Sequence, residues 1–116
     1  MSMSTTSDAH EKPQLLQLCF YVPSSHKEAV KEAVFEAGGG RIGDYDCCCF
    51  ESQGRGQFRP LAGSAPFIGA QDQISYVDEV KIELVCTAEN ADECVRALKK
   101  AHPYEEVAYH LIRIMS

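Results

Sequence analysis

Hydrophobic and polar positions follow two periods along this chain, and their order sets the expected architecture. Over residues 15–22, Leu16, Leu18, Phe20 and Val22 fall on one side of an extended backbone and Leu15, Gln17, Cys19 and Tyr21 on the other. That alternation predicts a strand, and Pro23 stops it. From Ser24 or Ser25 the period becomes helical. Ala29, Val30, Ala33, Val34 and Ala37 share a stripe, while Lys27, Glu28, Lys31, Glu32 and Glu36 face water. Ser25 and Glu28 have capping-box spacing, and Gly38-Gly39-Gly40 ends the helix because glycine accepts the left-handed conformation of a C-cap. A second strand is expected from about Tyr45 to Ser52. A third is expected over residues 77–86, where Val80, Ile82, Leu84 and Cys86 alternate with Glu79, Lys81, Glu83 and Val85.

A second helix follows, with Asn90 as its cap and Ala91, Cys94, Val95, Leu98 and Ala101 as its buried stripe. Asp92 and Glu93 sit in its positive first turn, and Lys99 and Lys100 in its negative last turn. Pro103 forces His102 out of helical geometry and closes it. The last strand is expected from about Val107 to Ile114. The order β-α-β-β-α-β predicts an α+β, ferredoxin-like antiparallel sheet with two helices on one face. The final strand is apolar on both sides, with Val107, Tyr109 and Leu111 opposite Ala108, Ile112 and Ile114. Two-sided apolarity predicts burial on both sides, so the bare sheet face is expected to meet other subunits or the long loop.

That loop is expected at about 53–76, rich in Gly, Pro, Ser, Ala and Gln, and too long for an idle hairpin connection. Phe58, Leu61, Phe67 and Ile68 give it apolar anchors. Residues 1–13 read as a disordered tail, leaving residues 14–116 as one domain. The net charge of −6 argues against nucleic-acid binding, which wants a basic face. No apolar run approaches a membrane span, and the polar start carries no secretory signal, so a cytoplasmic protein without membrane contact is expected. The six cysteines form no Cys-x-x-Cys pair and are expected to be reduced, with Cys47, Cys48 and Cys49 as small core residues on the second strand.

Two segments carry more chemistry than connections need. His102-Pro103-Tyr104-Glu105-Glu106 gathers an imidazole, a phenol and two carboxylates within five residues. A divalent metal such as zinc or copper would use His102, Glu106 and His110. A plain helix stop would pack Tyr104 and leave the glutamates in water. A polar-ligand or subunit contact would use the Tyr and His donors and the carboxylates. Gly54-Arg55-Gly56-Gln57-Phe58-Arg59-Pro60 offers exposed N–H groups and two guanidinium forks, Arg55 and Arg59, without the Gly-Lys-Ser/Thr ending of a Walker loop. A structural role for Arg59 would pair it with Glu105 or Glu106. His26 is expected to face solvent. No nucleophile–base pair is evident, so catalytic residues are not expected.

Four ordered motifs carry a family resemblance: Ile42-Gly43-Asp44-Tyr45-Asp46-Cys47, then Gly54 to Leu61, then Pro66-Phe67-Ile68-Gly69, and finally Ala101 to Tyr109. Together they resemble the domain inserted in some Nif-three-like proteins, which also occurs alone as a short protein. The resemblance covers about residues 15–115 and implies a fold similar to the PII signalling and CutA proteins. It also implies a homo-oligomer, trimeric by analogy. Longer members of the family build a dinuclear metal centre from flanking segments outside this resemblance, so no residue of that centre maps onto this chain. The resulting expectation is a non-enzymatic, oligomeric protein that binds a small molecule or metal ion through Arg55, Arg59, His102, Tyr104, Glu105 and Glu106. The alternatives are the divalent-metal set above and a purely structural adaptor.

Overall fold

A computed structural model describes residues 13–115 of the chain. Its elements are β1 (Leu15–Pro23), a 3-10 turn (Ser24–His26), α1 (Lys27–Glu36), β2 (Phe50–Phe58), β3 (Ser75–Thr87), α2 (Ala91–Ala101) and β4 (Tyr109–Ile114). The four strands form one antiparallel sheet in the order β2-β3-β1-β4. This is the α+β, ferredoxin-like plan that the periodicity predicts. The expected tail lies, but for Pro13, outside the described residues.

Register explains the core. Leu18, Phe20 and Val22 of β1 face Leu84, Ile82 and Val80 of β3 across the ladder, and all six are buried. Val30 and Val34 of α1 and Ala91, Cys94 and Leu98 of α2 close over the same face. Each large aliphatic or aromatic side chain in this layer contributes about 1.5–3 kcal/mol by leaving water. Cys86 and Cys94 lie among them as free thiols, and burial pushes the Cys94 thiol up to about 11, so both act as small apolar residues. On α1 the stripe is narrower than expected: Ala29 is exposed, and Phe35 packs against the core instead.

The second strand departs most from expectation. It runs Phe50–Phe58 rather than from about Tyr45 to Ser52, so the expected loop at 53–76 shrinks to residues 59–74. β2 is a sheet edge, and its sequence Phe-Glu-Ser-Gln-Gly-Arg-Gly-Gln-Phe needs no apolar alternation. Backbone pairing with the long β3, from Phe50↔Glu83 to Phe58↔Ser75, holds it. Cys47, Cys48 and Cys49 therefore precede the strand. Cys47 is exposed with φ 55, Cys48 and Cys49 are half-buried, and Cys49 packs against the core, so the run lies outside the strand and only Cys49 touches the core. The expected cap of α1 also differs. Ser25 Oγ meets His26 Nδ1 at 2.8 Å instead of capping the helix, which begins after the 3-10 turn without a side-chain cap. Asn90 does hold the cap position of α2, but its side chain makes no capping bond.

Glu51 fastens β2 to α1. Lys31 Nζ donates to it at 2.5 Å and Lys27 Nζ at 2.9 Å. These two bonds, Lys31 first, hold its carboxyl below the usual carboxylate range. A carboxyl whose folded pKa is depressed stabilises fully above its unfolded value and loses that contribution as pH falls through the folded one. Glu51→Gln should therefore lower stability by about 1 kcal/mol at pH 7, as expected for a half-exposed pair network. The difference from wild type, read by urea melts, should shrink as pH drops below about 4.3, the usual value for an unpaired glutamate.

Candidate functional site

At one end of the sheet, β1 outruns β4, and this fraying places the site. Tyr21 N still donates to Ala108 O at 3.3 Å, one step past the last β1–β4 pair, Phe20↔Tyr109. The Tyr21 carbonyl instead accepts from His102 Nε2 at 2.7 Å. Pro103 makes this geometry available: His102 leaves α2 with φ −74 and ψ 138, an extended backbone that turns its ring toward β1. Its Nδ1 accepts the Tyr104 N–H at 3.1 Å. An Nδ1 that accepts and an Nε2 that donates define a neutral imidazole protonated on Nε2. Burial depresses its pKa, partly opposed by the Tyr21 carbonyl and the Glu79 charge.

His102 thereby positions Tyr104. The two rings meet edge-on with centroids 4.9 Å apart. The Tyr104 hydroxyl donates to Glu79 Oε2 at 3.0 Å, and burial followed by this bond raises the phenol's pKa. Glu79 projects from β3 on the helix-free face, directly opposite Gly54 of β2. A Cβ on the nearby Gly56 would collide with the Glu79 carboxylate, so glycine there leaves the room that carboxylate occupies.

Residues 59–74 fold over this end. Asp72 N donates to Pro60 O at 2.7 Å and Ser64 N to Leu61 O at 3.1 Å, which gives the segment its own turns. Ala65 N donates to Glu105 Oε1 at 2.8 Å, tying the loop to the α2–β4 connection. Phe67 lies 6.4 Å from the Tyr104 ring and 5.3 Å from His26, centroid to centroid. His26 is thus packed by the loop rather than simply facing solvent. Phe58 completes the cluster at 6.2 Å from Tyr104.

Between these parts lies a cleft of about 470 Å³. Phe58, Phe67 and Tyr104 supply aromatic surface, and Pro60, Leu61, Pro66, Ile68 and Ala108 supply aliphatic surface. Its polar groups include Arg59, Glu79, Glu105 and Glu106. Among the described residues, none of these four is in an ion pair.

The structure thus brings Arg59, Tyr104, Glu105 and Glu106 to one cleft, with His102 buried behind it. The expected Arg59–glutamate pair is absent among the described residues, and the Ala65 amide takes Glu105 instead. Arg55 stands apart: its guanidinium stacks 4.6 Å over the Tyr76 ring, and it is a strand residue rather than part of a glycine-rich loop. The set His102, Glu106 and His110 does not converge, since the described residues contain no group of three His, Cys, Asp or Glu side chains able to hold one ion. His102 has both ring nitrogens engaged, and His110 lies on β4 opposite Cys19. Tyr21, Phe67 and Glu79 are cleft residues that the sequence reading leaves out as site members. Glu79 carries the only signal there, a charged group on a face whose owner the sequence does not reveal.

The comparisons agree with this architecture. No family model matches the chain. A protein of Halalkalibacterium halodurans named GTP cyclohydrolase 1 type 2 homolog is 45% identical over 97 residues, which are 84% of this chain and 26% of that relative. A Bacillus cereus protein related to NIF3 superposes with TM-score 0.77 at 36% identity, covering 90% of this chain and 26% of its own. CutA from Synechococcus elongatus shares the fold, with TM-score 0.64 at 19% identity over 90% of this chain and 80% of its own. The chain spans about a quarter of the length of the curated relatives it matches. It is a homologue of the PII/CutA-like domain of Nif-three-like proteins.

Proposed function

We propose that this chain is a non-enzymatic, oligomeric binding module with a regulatory role, and that a small molecule occupies the cleft between residues 59–74 and Tyr104–Ala108. The observation that carries this reading is the cleft itself. A long loop and a helix–strand connection converge on a partly apolar cavity edged by charged groups that have no ion-pair partner among the described residues, the usual build of a small-ligand site. The name of the longer relatives points to GTP, yet the cleft sets three carboxylates against one arginine, which disfavours a triphosphate. Oligomerisation draws support from Leu111 and Ile112, both exposed on the edge strand β4. A divalent ion through His102, Glu106 and His110 has no comparable observation in its favour.

The test is a ¹H–¹⁵N spectrum of the wild-type protein recorded against a mixed library of small polar and amphiphilic compounds. At least one compound should shift the amides of residues 59–74 and 104–108 together. A variant with residues 61–70 replaced by a short glycine-serine linker should keep its sheet and helix signals and lose that response. A wild-type spectrum in which no compound moves these amides would sink the reading.

A further inference from the structure

Resting on that cleft as the binding seat, we infer that its ligand is a small organic cation: an ammonium or guanidinium group on an apolar body. Two independent features point the same way. The first is the aromatic wall. Phe58 and Phe67 stand 6.2 and 6.4 Å from Tyr104, with rings inclined by 51° and 48° to it. All three rings line the cleft, and an aromatic face turned into it attracts an organic ammonium ion. The second is the charge balance. Glu79, Glu105 and Glu106 line the cleft against Arg59 alone, giving an excess of two negative charges.

The individual carboxylates sharpen the assignment. Glu105 already spends one oxygen on the Ala65 amide, so it braces the loop. Glu79 is half-buried and, among the described residues, accepts only one side-chain hydrogen bond, from Tyr104 to Oε2. Its Oε1 lies over Gly56, which has no side chain to cover it. A half-buried carboxylate with one oxygen unpaired is stabilised by an incoming cation rather than by a neutral group. Glu106 is exposed at the same cleft and in no ion pair among the described residues. The aliphatic surface of Pro60, Leu61, Pro66 and Ile68 would take the ligand's apolar body. The net charge of −6 adds long-range attraction for a cation and repulsion for an anion.

The experiment compares four probes of one shape: phenethylamine, its N-trimethylated form, phenethyl alcohol and 3-phenylpropionate. Each is titrated into the full chain at constant ionic strength while the amides of Ala65, Phe67 and residues 104–108 are followed. The two cations should bind at least tenfold more tightly than the alcohol and the carboxylate. Glu79→Gln keeps an acceptor for Tyr104 and should remove most of that preference. The same spectra report whether this variant is folded. Phe67→Ala should weaken the trimethylated probe about tenfold. Equal or tighter binding of the alcohol or the carboxylate would overturn the cation assignment while leaving the cleft a binding site. A set of spectra in which none of the four probes moves these amides would remove the site as well. A cation preference that survives Glu79→Gln unchanged would overturn Glu79 as the carboxylate that receives the cation.

Discussion

Replacing His102 with alanine should destabilise the domain by about 2–4 kcal/mol, the range for truncating a buried side chain that satisfies two backbone groups. The residue is only 6% exposed, and its ring receives the Tyr104 N–H while donating to the Tyr21 carbonyl. Alanine leaves both groups without partners and removes the surface against which Tyr104 packs. The same ring should give stability a pH dependence. Its folded pKa is depressed by burial, with the Glu79 charge opposing and His26 reinforcing the shift. The unfolded chain therefore takes up a proton near pH 6.5 that the folded chain refuses. Stability from this source is complete above that range and falls as pH drops through about 6.5 toward the folded pKa. Urea melts at pH 7.5 and 5.5 should show a loss for wild type that His102→Ala lacks. An equal loss in both proteins would assign the pH dependence to another group. This window is separate from that of Glu51, which titrates below the normal carboxylate range.

The His102 result bears on what the sequence could reveal. His102-Pro103-Tyr104-Glu105-Glu106 stands out as a cluster of chemistry, and proline correctly marks it as a helix stop. The destination of the imidazole is not readable, because the Tyr21 carbonyl lies 81 residues away and is free only where β4 falls short of β1. Read locally, the ring resembles a ligand. In the fold it is a fastener, and the groups left facing the cleft are those around it. The core strands and both helices are legible because their period follows from burial. The edge strand β2 is not. Its pairing is made by backbone atoms, and its residues Gln53 to Phe58 read as a loop. That misreading placed the cysteine run on a strand and Arg55 in an anion loop. The meeting of Arg59 with Tyr104, Glu105 and Glu106 was legible as an expectation because both segments carry polar groups that a connection does not need.

Gly40→Ala should cost about 2–4 kcal/mol, combining a left-handed backbone with steric conflict on two sides. Gly40 has φ +77, and an added Cβ would stand 2.8 Å from the Cys48 carbonyl oxygen and 2.9 Å from the Phe35 ring. Neither neighbour can yield easily. The Cys48 backbone is fixed by its own N–H donating to Gly40 O at 2.8 Å, and Gly40 N donates to Val85 O at 2.8 Å. These two bonds anchor residues 40–48 to β3 just before β2 begins. Loosening them frees the start of an edge strand whose register no apolar pattern protects. A slip of one residue would turn Gly56 away from the helix-free face, where it leaves room for the Glu79 carboxylate. Two further substitutions separate the causes. Gly43→Ala meets nothing within 4 Å at φ +56, so it should cost only the backbone term, about 1 kcal/mol. Gly54→Ala meets nothing either, and its φ lies outside the left-handed range, so its melting temperature should stay within about 2 °C of wild type, as for a surface change without a named mechanism. The ordering Gly40, then Gly43, then Gly54 in thermal melts is the expected result. A Gly40→Ala protein as stable as Gly43→Ala would mean that residues 40–48 do not hold β2 in register.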